Sequence, residues 1–231
     1  AMPPRSSWKG FLRLSLISVP VKAYTASSSS TGQIHLNQLH KECNNRIRYQ
    51  KVCPEHGEVS SDQIVSGYEY SKGQYVIINP EELDKFRTES DKAIGVHSFV
   101  SPETIDPVYH SGKTYYLVPD GPVGQRAYAL IRDALEEMSR HGVARVVLSG
   151  KEQVVLVRPV GKLLAMTILS YESTVKAPQL FEDDVPETDV SPQELELIKT
   201  LITSSAKEDF DLSEYKDEYT EKLAALIEAK V

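Results

Sequence analysis

The sequence contains little cysteine and no long apolar run. Two cysteines in 231 residues are too few for the disulfide framework of a small secreted domain. No apolar run reaches the roughly 18 residues that a membrane-spanning helix needs, and residues 1–10 lack the apolar segment of a signal peptide. With 40% hydrophobic and 26% charged residues, the composition is typical of a globular protein. We therefore expect a folded protein in a reducing, cytoplasmic environment.

The sequence also lacks the common catalytic motifs. It contains no GxSxG nucleophile elbow, no GxxxxGK[ST] phosphate-binding loop and no GxGxxG dinucleotide-binding loop. The acidic pairs at 136–137 and 183–184 are expected on a solvated helix face or on opposite sides of the backbone. The six histidines are scattered along the chain, and no pattern places a nucleophile beside a base. These absences favour a binding protein over an enzyme.

Charge is distributed unevenly along the chain, whose net charge is −7. Residues 175–231 carry 15 acidic and 6 basic residues, whereas residues 1–174 carry 18 acidic and 20 basic residues. Residues 1–51 contain eight Lys and Arg but a single acid, Glu42. Because salt screens charges beyond about 8–10 Å, a phosphate responds to the local field and not to the net charge. The N-terminal segment is thus compatible with DNA binding on one face, and equally with ordinary uneven surface charge.

Short β-favouring segments dominate residues 8–171. The first, WKGFLRLSLISVPVKAY, has Leu12, Leu14 and Leu16 on one face. Three apolar strands follow residue 142, with turns at Gly150 and Gly161. One long amphipathic helix precedes them, with an apolar stripe formed by Ala127, Leu130, Ile131, Ala134, Leu135 and Met138. We therefore predict an α+β fold that is mainly a β-barrel with attached helices.

The composition changes after Ser173. Residues 175–190 are acidic, contain two prolines and are predicted to form an extended strap. Residues 191–231 are predicted to form two helices, the first capped by Ser191 and the second starting at Asp211. The predicted organisation is therefore a barrel core over residues 1–174, the strap over residues 175–190, and a helical arm over residues 191–231.

Both cysteines lie in the segment LHKECNNRIRYQKVCPEHG, residues 39–57. His40 and Cys43 form one pair of candidate metal ligands, and Cys53 and His56 form a second pair after nine intervening residues. Zn²⁺ accepts a tetrahedral Cys₂His₂ set, and two-residue gaps let both side chains of a pair face one ion. The pattern is therefore compatible with a structural zinc site. A surface hairpin with two free thiols explains the same residues without a metal.

The same segment contains RIRYQK, in which Arg46 and Arg48 are two residues apart. On a strand these side chains point to the same side and can follow successive phosphates. Lys113 and Lys162 lie beside glycines in predicted turns, and Arg158 interrupts an apolar run. As a set they suit contact with a nucleic-acid backbone without base reading. Taken one at a time, each is better explained as an ordinary outward-facing residue.

Six segments, spread over nearly the whole chain, are recognisable as a set. They are WKG…LISVPVKAYTA, LHKE…RIRYQKVC, SDQIVSGYEY…GQYVII, IDPVYH…TYYLVPD, GQRAYALIRDALEEMSRHGVARVVL and SPQELELIKTLI…FDLSEYKDEYTEKLAALIEAK. In content and order they resemble the bacterial Ku family, the DNA end-binding proteins of non-homologous end joining. Two features depart from the family pattern. Arg13 is an extra cation in the first strand, and Cys53-x2-His56 stands where some relatives have CxxC.

The resemblance implies a homodimer in which each subunit contributes a Ku-type β-barrel and a bridge to a ring around a DNA end. The helical arm would reach across to the partner subunit. Family members contact the sugar-phosphate backbone independently of sequence and recruit the multi-domain ATP-dependent DNA ligase (ligase D type) of the pathway. The resemblance further implies no catalytic activity, no required cofactor and a place in the cytoplasm at the nucleoid.

A ring around DNA needs a positive inner wall, although this chain is acidic overall. We expect the DNA-binding residues of this wall to come from Lys9, Arg13, Lys22, Arg46, Arg48, Lys51, Lys113, Arg126, Arg158 and Lys162. Two other interpretations stay open at this point. One is a zinc-containing protein-interaction scaffold without DNA-end activity, and the other is an enzyme whose site the motifs do not reveal.

Overall fold

The structure, a computed structural model, describes residues 5–27, 34–86 and 92–231. It divides into two compact units, one formed by Ala1–Ser28 and Leu36–Val175 and the other by Ser29–His35 and Lys176–Val231. The described residues of the first unit contain the following strands and α-helices in chain order: β1 (Trp8–Leu14), β2 (Ile17–Thr25), β3 (Val52–Cys53), β4 (Gly57–Glu58), β5 (Ser66–Ser71), β6 (Gln74–Ile78), α1 (Pro80–Lys85), β7 (Ala93–Val100), β8 (His110–Pro119), α2 (Gln125–Glu137), β9 (His141–Leu148), β10 (Lys151–Val160) and β11 (Leu163–Leu169).

Seven of these strands form a closed barrel in the order β1-β2-β8-β11-β10-β9-β7. β1 and β7 pair in parallel, and the other neighbouring strands pair antiparallel. Side chains alternate between the interior and the outside: Leu12, Val19 and Val21 are fully buried, whereas Lys9 and Arg13 are exposed. The predicted α+β fold, mainly a β-barrel with attached helices, is confirmed.

Helix α2 packs on the barrel through one buried tyrosine and two aliphatic residues. Tyr128, Ile131 and Leu135 are buried, whereas Leu130 and Met138 are mostly exposed. The predicted apolar stripe is therefore wrong at two positions. The Tyr128 hydroxyl donates to the backbone oxygen of Leu117, at 2.5 Å, and accepts from the backbone N–H of Leu164, at 2.7 Å.

This tyrosine contact determines which side of α2 faces the barrel. Leu117 and Leu164 are paired across β8 and β11, so one hydroxyl satisfies a backbone acceptor and a backbone donor of neighbouring strands. Buried backbone groups need such partners. The helix starts close to the barrel at Gly124, where an added Cβ would lie 2.9 Å from Val19 Cγ1. Burial raises the pKa of the Tyr128 hydroxyl.

Residues 34–86 carry mostly exposed side chains and contain two short hairpins. In the first, β3 and β4 pair Cys53 with Gly57. In the second, β5 and β6 pair with each other alone within the described residues. The predicted strand over residues 47–52 is wrong except at Val52, because residues 47–51 have no strand pairing. A hairpin of two strands is only marginally stable by itself in water.

The second unit contains helices α3 (Gln179–Glu182), α4 (Pro192–Ser205) and α5 (Glu218–Glu228). The prediction of an extended strap is wrong at α3. There the N–H of Phe181 donates to the carbonyl of Pro178, at 2.9 Å, and proline at the start of a helix has its φ already set for helical geometry. Helix α5 begins later than predicted, because the Asp217 carboxylate caps it by accepting from the N–H of Thr220 at 3.0 Å.

The helices of the second unit have no core of their own. Among residues 34–35 and 176–231, none is buried. Five apolar side chains of α4 are each at least 45% exposed: Leu195, Leu197, Ile198, Leu201 and Ile202. An isolated helix is stabilised mainly by packing of its apolar face, so this unit presents apolar surface that is suited to a partner. None of the described helices is long and apolar enough to cross a membrane.

Candidate nucleic-acid interface

The outer surface of β1 and β2 carries three of the predicted DNA-binding residues. Lys9 lies directly opposite Lys22 in the antiparallel register of the two strands. Leu12 and Val21 point into the barrel and are fully buried, so the alternation of side chains directs Lys9, Arg13 and Lys22 outwards. We call this surface the β1–β2 face. It exists only because strand pairing places β1 against β2.

A carboxylate that the sequence did not reveal lies on the same face. Asp120 follows the end of β8, and its Oδ1 lies 2.6 Å from Lys22 Nζ. The hydrogen bond to Asp120 raises the pKa of Lys22, and the same bond, together with the charge of Lys9, lowers the pKa of Asp120. Like charges directly opposite on neighbouring strands repel, so Asp120 offsets the repulsion between the two lysines. The β1–β2 face is therefore less positive than its cations alone suggest.

A second group of cations lies in the irregular segment 45–51. An isolated bridge pairs Leu39 with Arg46, and residues 45–49 curve around an open hollow of about 830 Å³. Tyr49 Oη donates to Gln38 Oε1 at the edge of this hollow. Arg46, Arg48 and Lys51 are all exposed. These cations are close in the chain, but a curved loop presents them, whereas the sequence predicted a strand.

The other predicted DNA-binding residues are dispersed. Arg158 lies half-buried on β10, which is separated from β1 and from β2 by two strands in either direction around the barrel. Lys162 lies in the turn before β11, and its backbone oxygen accepts from Arg132 Nη1 at 3.0 Å. Lys113 on β8 and Arg126 in the first turn of α2 are exposed. The structure brings three of the predicted residues together on the β1–β2 face and three in segment 45–51.

Two residues of β9 were missed by the sequence reasoning. Arg145 is exposed and its Nη1 lies 3.7 Å from Glu152 Oε1; it interrupts an apolar run, which is the signal that pointed to Arg158. His141 Nδ1 is buried without a hydrogen-bond partner within the described part of the chain. Burial, and then the charge of Arg158, lowers the pKa of His141. Nothing in the sequence marked His141.

The predicted metal ligands form two separate pairs. His40 Nδ1 lies 3.3 Å from Cys43 Sγ, and His56 Nδ1 lies 3.5 Å from Cys53 Sγ. Both cysteines are free thiols. Among residues 5–27, 34–86 and 92–231, no group of three or more His, Cys, Asp or Glu side chains lies close enough together to hold a metal ion. The partners within each pair are therefore together, the two pairs are not, and the zinc site stays a prediction.

Comparison with known proteins connects this fold to one family. The family model described as the Ku70/Ku80 beta-barrel domain matches residues 13–197. The chain belongs to the Ku family. The Non-homologous end joining protein Ku of Heliobacterium modesticaldum is 42% identical and is matched over 98% of this chain and 81% of that protein. The proteins of the same name from Archaeoglobus fulgidus and Bradyrhizobium sp. are 38% and 39% identical, over 98% and 99% of this chain and 88% and 78% of theirs.

Membership of the Ku family confirms the resemblance and agrees with the fold. The matched residues include most of β1, the rest of the barrel, segment 45–51 and the start of α4. Among solved structures, the SPOC domain of human PHD-finger protein 3 is similar with a TM-score of 0.35 and 17% identity, over 72% of this chain and 97% of that one. These values are too low to establish a shared fold.

Proposed function

We propose that this Ku chain binds the ends of double-stranded DNA independently of sequence during repair by non-homologous end joining. The observation that carries the proposal is its similarity, at 34–42% identity over 97–99% of the chain, to proteins named for that pathway. The β1–β2 face and segment 45–51 support it, because they present clustered Lys and Arg outside the barrel. Such cations bind phosphates by releasing counterions, which requires no base reading.

We further propose that the protein acts as a homodimeric ring. Two surfaces of the single chain support this. Helix α4 exposes apolar residues without a core beneath them, and the hairpin β5–β6 exposes Tyr68, Tyr70 and Tyr75 by more than 60% each. Contiguous exposed apolar surface of this kind marks an interaction site. In a symmetric dimer, residues 191–231 would form an arm against the partner, and residues 34–86 would form the bridge over the DNA.

The proposed role is recruitment without chemistry. Once seated on a DNA end, the dimer would recruit a multi-domain ATP-dependent DNA ligase of the ligase D type, which performs the joining reaction. The chain itself would need no cofactor for DNA binding. The comparisons give no support to a zinc-containing scaffold without DNA-end activity.

A binding titration separates end binding from general DNA binding. The purified protein is titrated with a short linear duplex and with the same duplex whose two ends are blocked by biotin and streptavidin. Tight binding to the free-ended duplex, little binding to the blocked one and equal affinity for unrelated sequences are expected, with an affinity that falls steeply as salt rises. Equal binding to both duplexes would refute threading from an end.

A further inference from the structure

The two candidate ligand pairs lie in turns of the same backbone form. In the first turn, the N–H of His40 donates to the carbonyl of Asn45, at 2.9 Å, and the N–H of Asn44 donates to the carbonyl of His40, at 2.8 Å. Asn44, the residue directly after Cys43, has a φ of +55°. The turn therefore reverses the chain immediately after its second candidate ligand.

The second turn repeats this arrangement. Cys53 pairs with Gly57 across β3 and β4, and Gly57, the residue directly after His56, has a φ of +74°. In both turns the candidate ligands are three residues apart and the next residue is left-handed, a conformation that Asn and Gly adopt most easily. Two copies of one ligand-bearing turn, nine residues apart, are the arrangement of a two-knuckle zinc site.

The distances within the pairs fit a shared tetrahedral ion. Zn–S bonds of about 2.3 Å and Zn–N bonds of about 2.0–2.1 Å place sulfur and nitrogen about 3.5–3.6 Å apart at the tetrahedral angle. The Sγ–Nδ1 distances are 3.3 Å in the first turn and 3.5 Å in the second. A hydrogen bond between thiol and imidazole explains either distance alone, but not the repetition of the whole turn.

The surroundings of the first sulfur also suit a thiolate. Asn45 Nδ2 donates to Cys43 Sγ at 3.3 Å, and hydrogen bonds from outer groups orient and stabilise metal ligands. The nearby strands β3 and β4 are two residues long and mostly exposed, so apolar packing contributes little to holding residues 39–58. A structural zinc ion supplies folding free energy where a core is missing.

We propose that His40, Cys43, Cys53 and His56 bind one structural Zn²⁺ per chain, and that the ion draws the two preformed turns together. The two thiols lose their protons to solvent on binding, and both histidines bind through neutral imidazole nitrogen. Four protein ligands leave no open position for chemistry. Segment 45–51, which carries Arg46 and Arg48, lies between the turns and becomes fixed when they close. Only this last consequence, for DNA binding, rests on the proposed function.

The test measures metal directly on the full-length protein. The protein is stripped with a chelator, reloaded with Zn²⁺ and assayed for bound metal, and Co²⁺ is titrated separately because its visible spectrum reports tetrahedral thiolate ligation. One metal per chain is expected. Cys43→Ser and Cys53→Ser should each lower the affinity by more than roughly 100-fold, the upper end of the loss expected for an outer partner. Asn45→Ala should lower it by about 10–100-fold.

Two further variants make the result specific. Lys41→Ala changes a residue between the ligands of the first turn and should keep full metal binding. His56→Cys should keep it as well, because Cys₃His is also a zinc set. Thermal unfolding and circular dichroism confirm for each variant that the barrel remains folded. Metal below stoichiometry in the folded unmodified protein would overturn the proposal, as would metal that survives loss of Cys43 and depends on the second turn alone.

The metal measurement and the DNA titration are independent, so the two proposals can fail separately. If zinc is bound and DNA ends are not, the proposed function is wrong and the metal site stands. If DNA ends are bound and no zinc is retained, the reverse holds. If both stand, stripping the zinc should weaken DNA binding, with recovery when Zn²⁺ is restored and no such effect in a protein already carrying Cys53→Ser.

Discussion

The hydroxyl of Tyr128 should contribute measurably to the stability of the barrel. Tyr128 is 3% exposed, and its oxygen accepts from the N–H of Leu164 and donates to the carbonyl of Leu117. Tyr128→Phe keeps the ring and removes both hydrogen bonds. A buried donor left without a partner costs about 1–3 kcal/mol, and an ordinary hydrogen bond contributes a net of about 1 kcal/mol. We therefore expect a loss of about 2–4 kcal/mol in the free energy of unfolding.

The matched control is Tyr171→Phe. The Tyr171 hydroxyl also donates to a backbone carbonyl, that of Glu152, at 2.9 Å, but its side chain is 46% exposed. Water replaces the lost bond there, so the change should stay within about 0.5 kcal/mol, as for most surface substitutions. Both variants are compared by urea unfolding at one fixed protein concentration, with the midpoint as the measure and the m-value unchanged. Equal effects of the two substitutions would refute the reasoning.

Three further predictions concern charge and association. Asp120→Asn frees Lys22 from its carboxylate partner and should strengthen DNA binding and steepen its salt dependence by about one unit, measured by titration at several salt concentrations; an unchanged slope would exclude Lys22 from the interface. Because the folded pKa of His141 lies below its usual value, stability should decrease as the pH falls below about 6.5, and His141→Gln should flatten that decrease in urea unfolding; an unchanged pH profile would contradict it. Ile202→Asp on α4 should shift the protein from dimer to monomer in light scattering, whereas Thr200→Asp should not; a dimer that survives Ile202→Asp would exclude this face.

The alternation of residues along β1 and the turn glycines were sufficient to predict most barrel strands. Local patterns report a side-chain period, and the period of a strand is a property of its own backbone. The closure of the barrel was beyond their reach. β1 pairs in parallel with β7, about eighty residues away in the chain, and nothing in either segment identifies its neighbour.

The periodicity of α2 correctly predicted a helix and incorrectly predicted its buried side. Leu130 and Met138 fit the apolar stripe but lie exposed, and Tyr128 takes a place in the core. Hydropathy ranks tyrosine below leucine, but two backbone groups of β8 and β11 need a hydrogen-bonding partner at this place. A polar requirement of the strands therefore outweighed the apolar pattern of the helix.

The six family segments in their order were enough to identify the Ku family, since they depend only on residue identity along the chain. The arrangement of charge depended on the folded barrel. Ten cations were candidates in the sequence, and strand register placed Lys9 opposite Lys22 and brought Asp120 to within 2.6 Å of Lys22. Electrostatic interaction falls with distance through space and is screened within about 8–10 Å. Distances of that kind arise only when strands that are remote in the chain become neighbours.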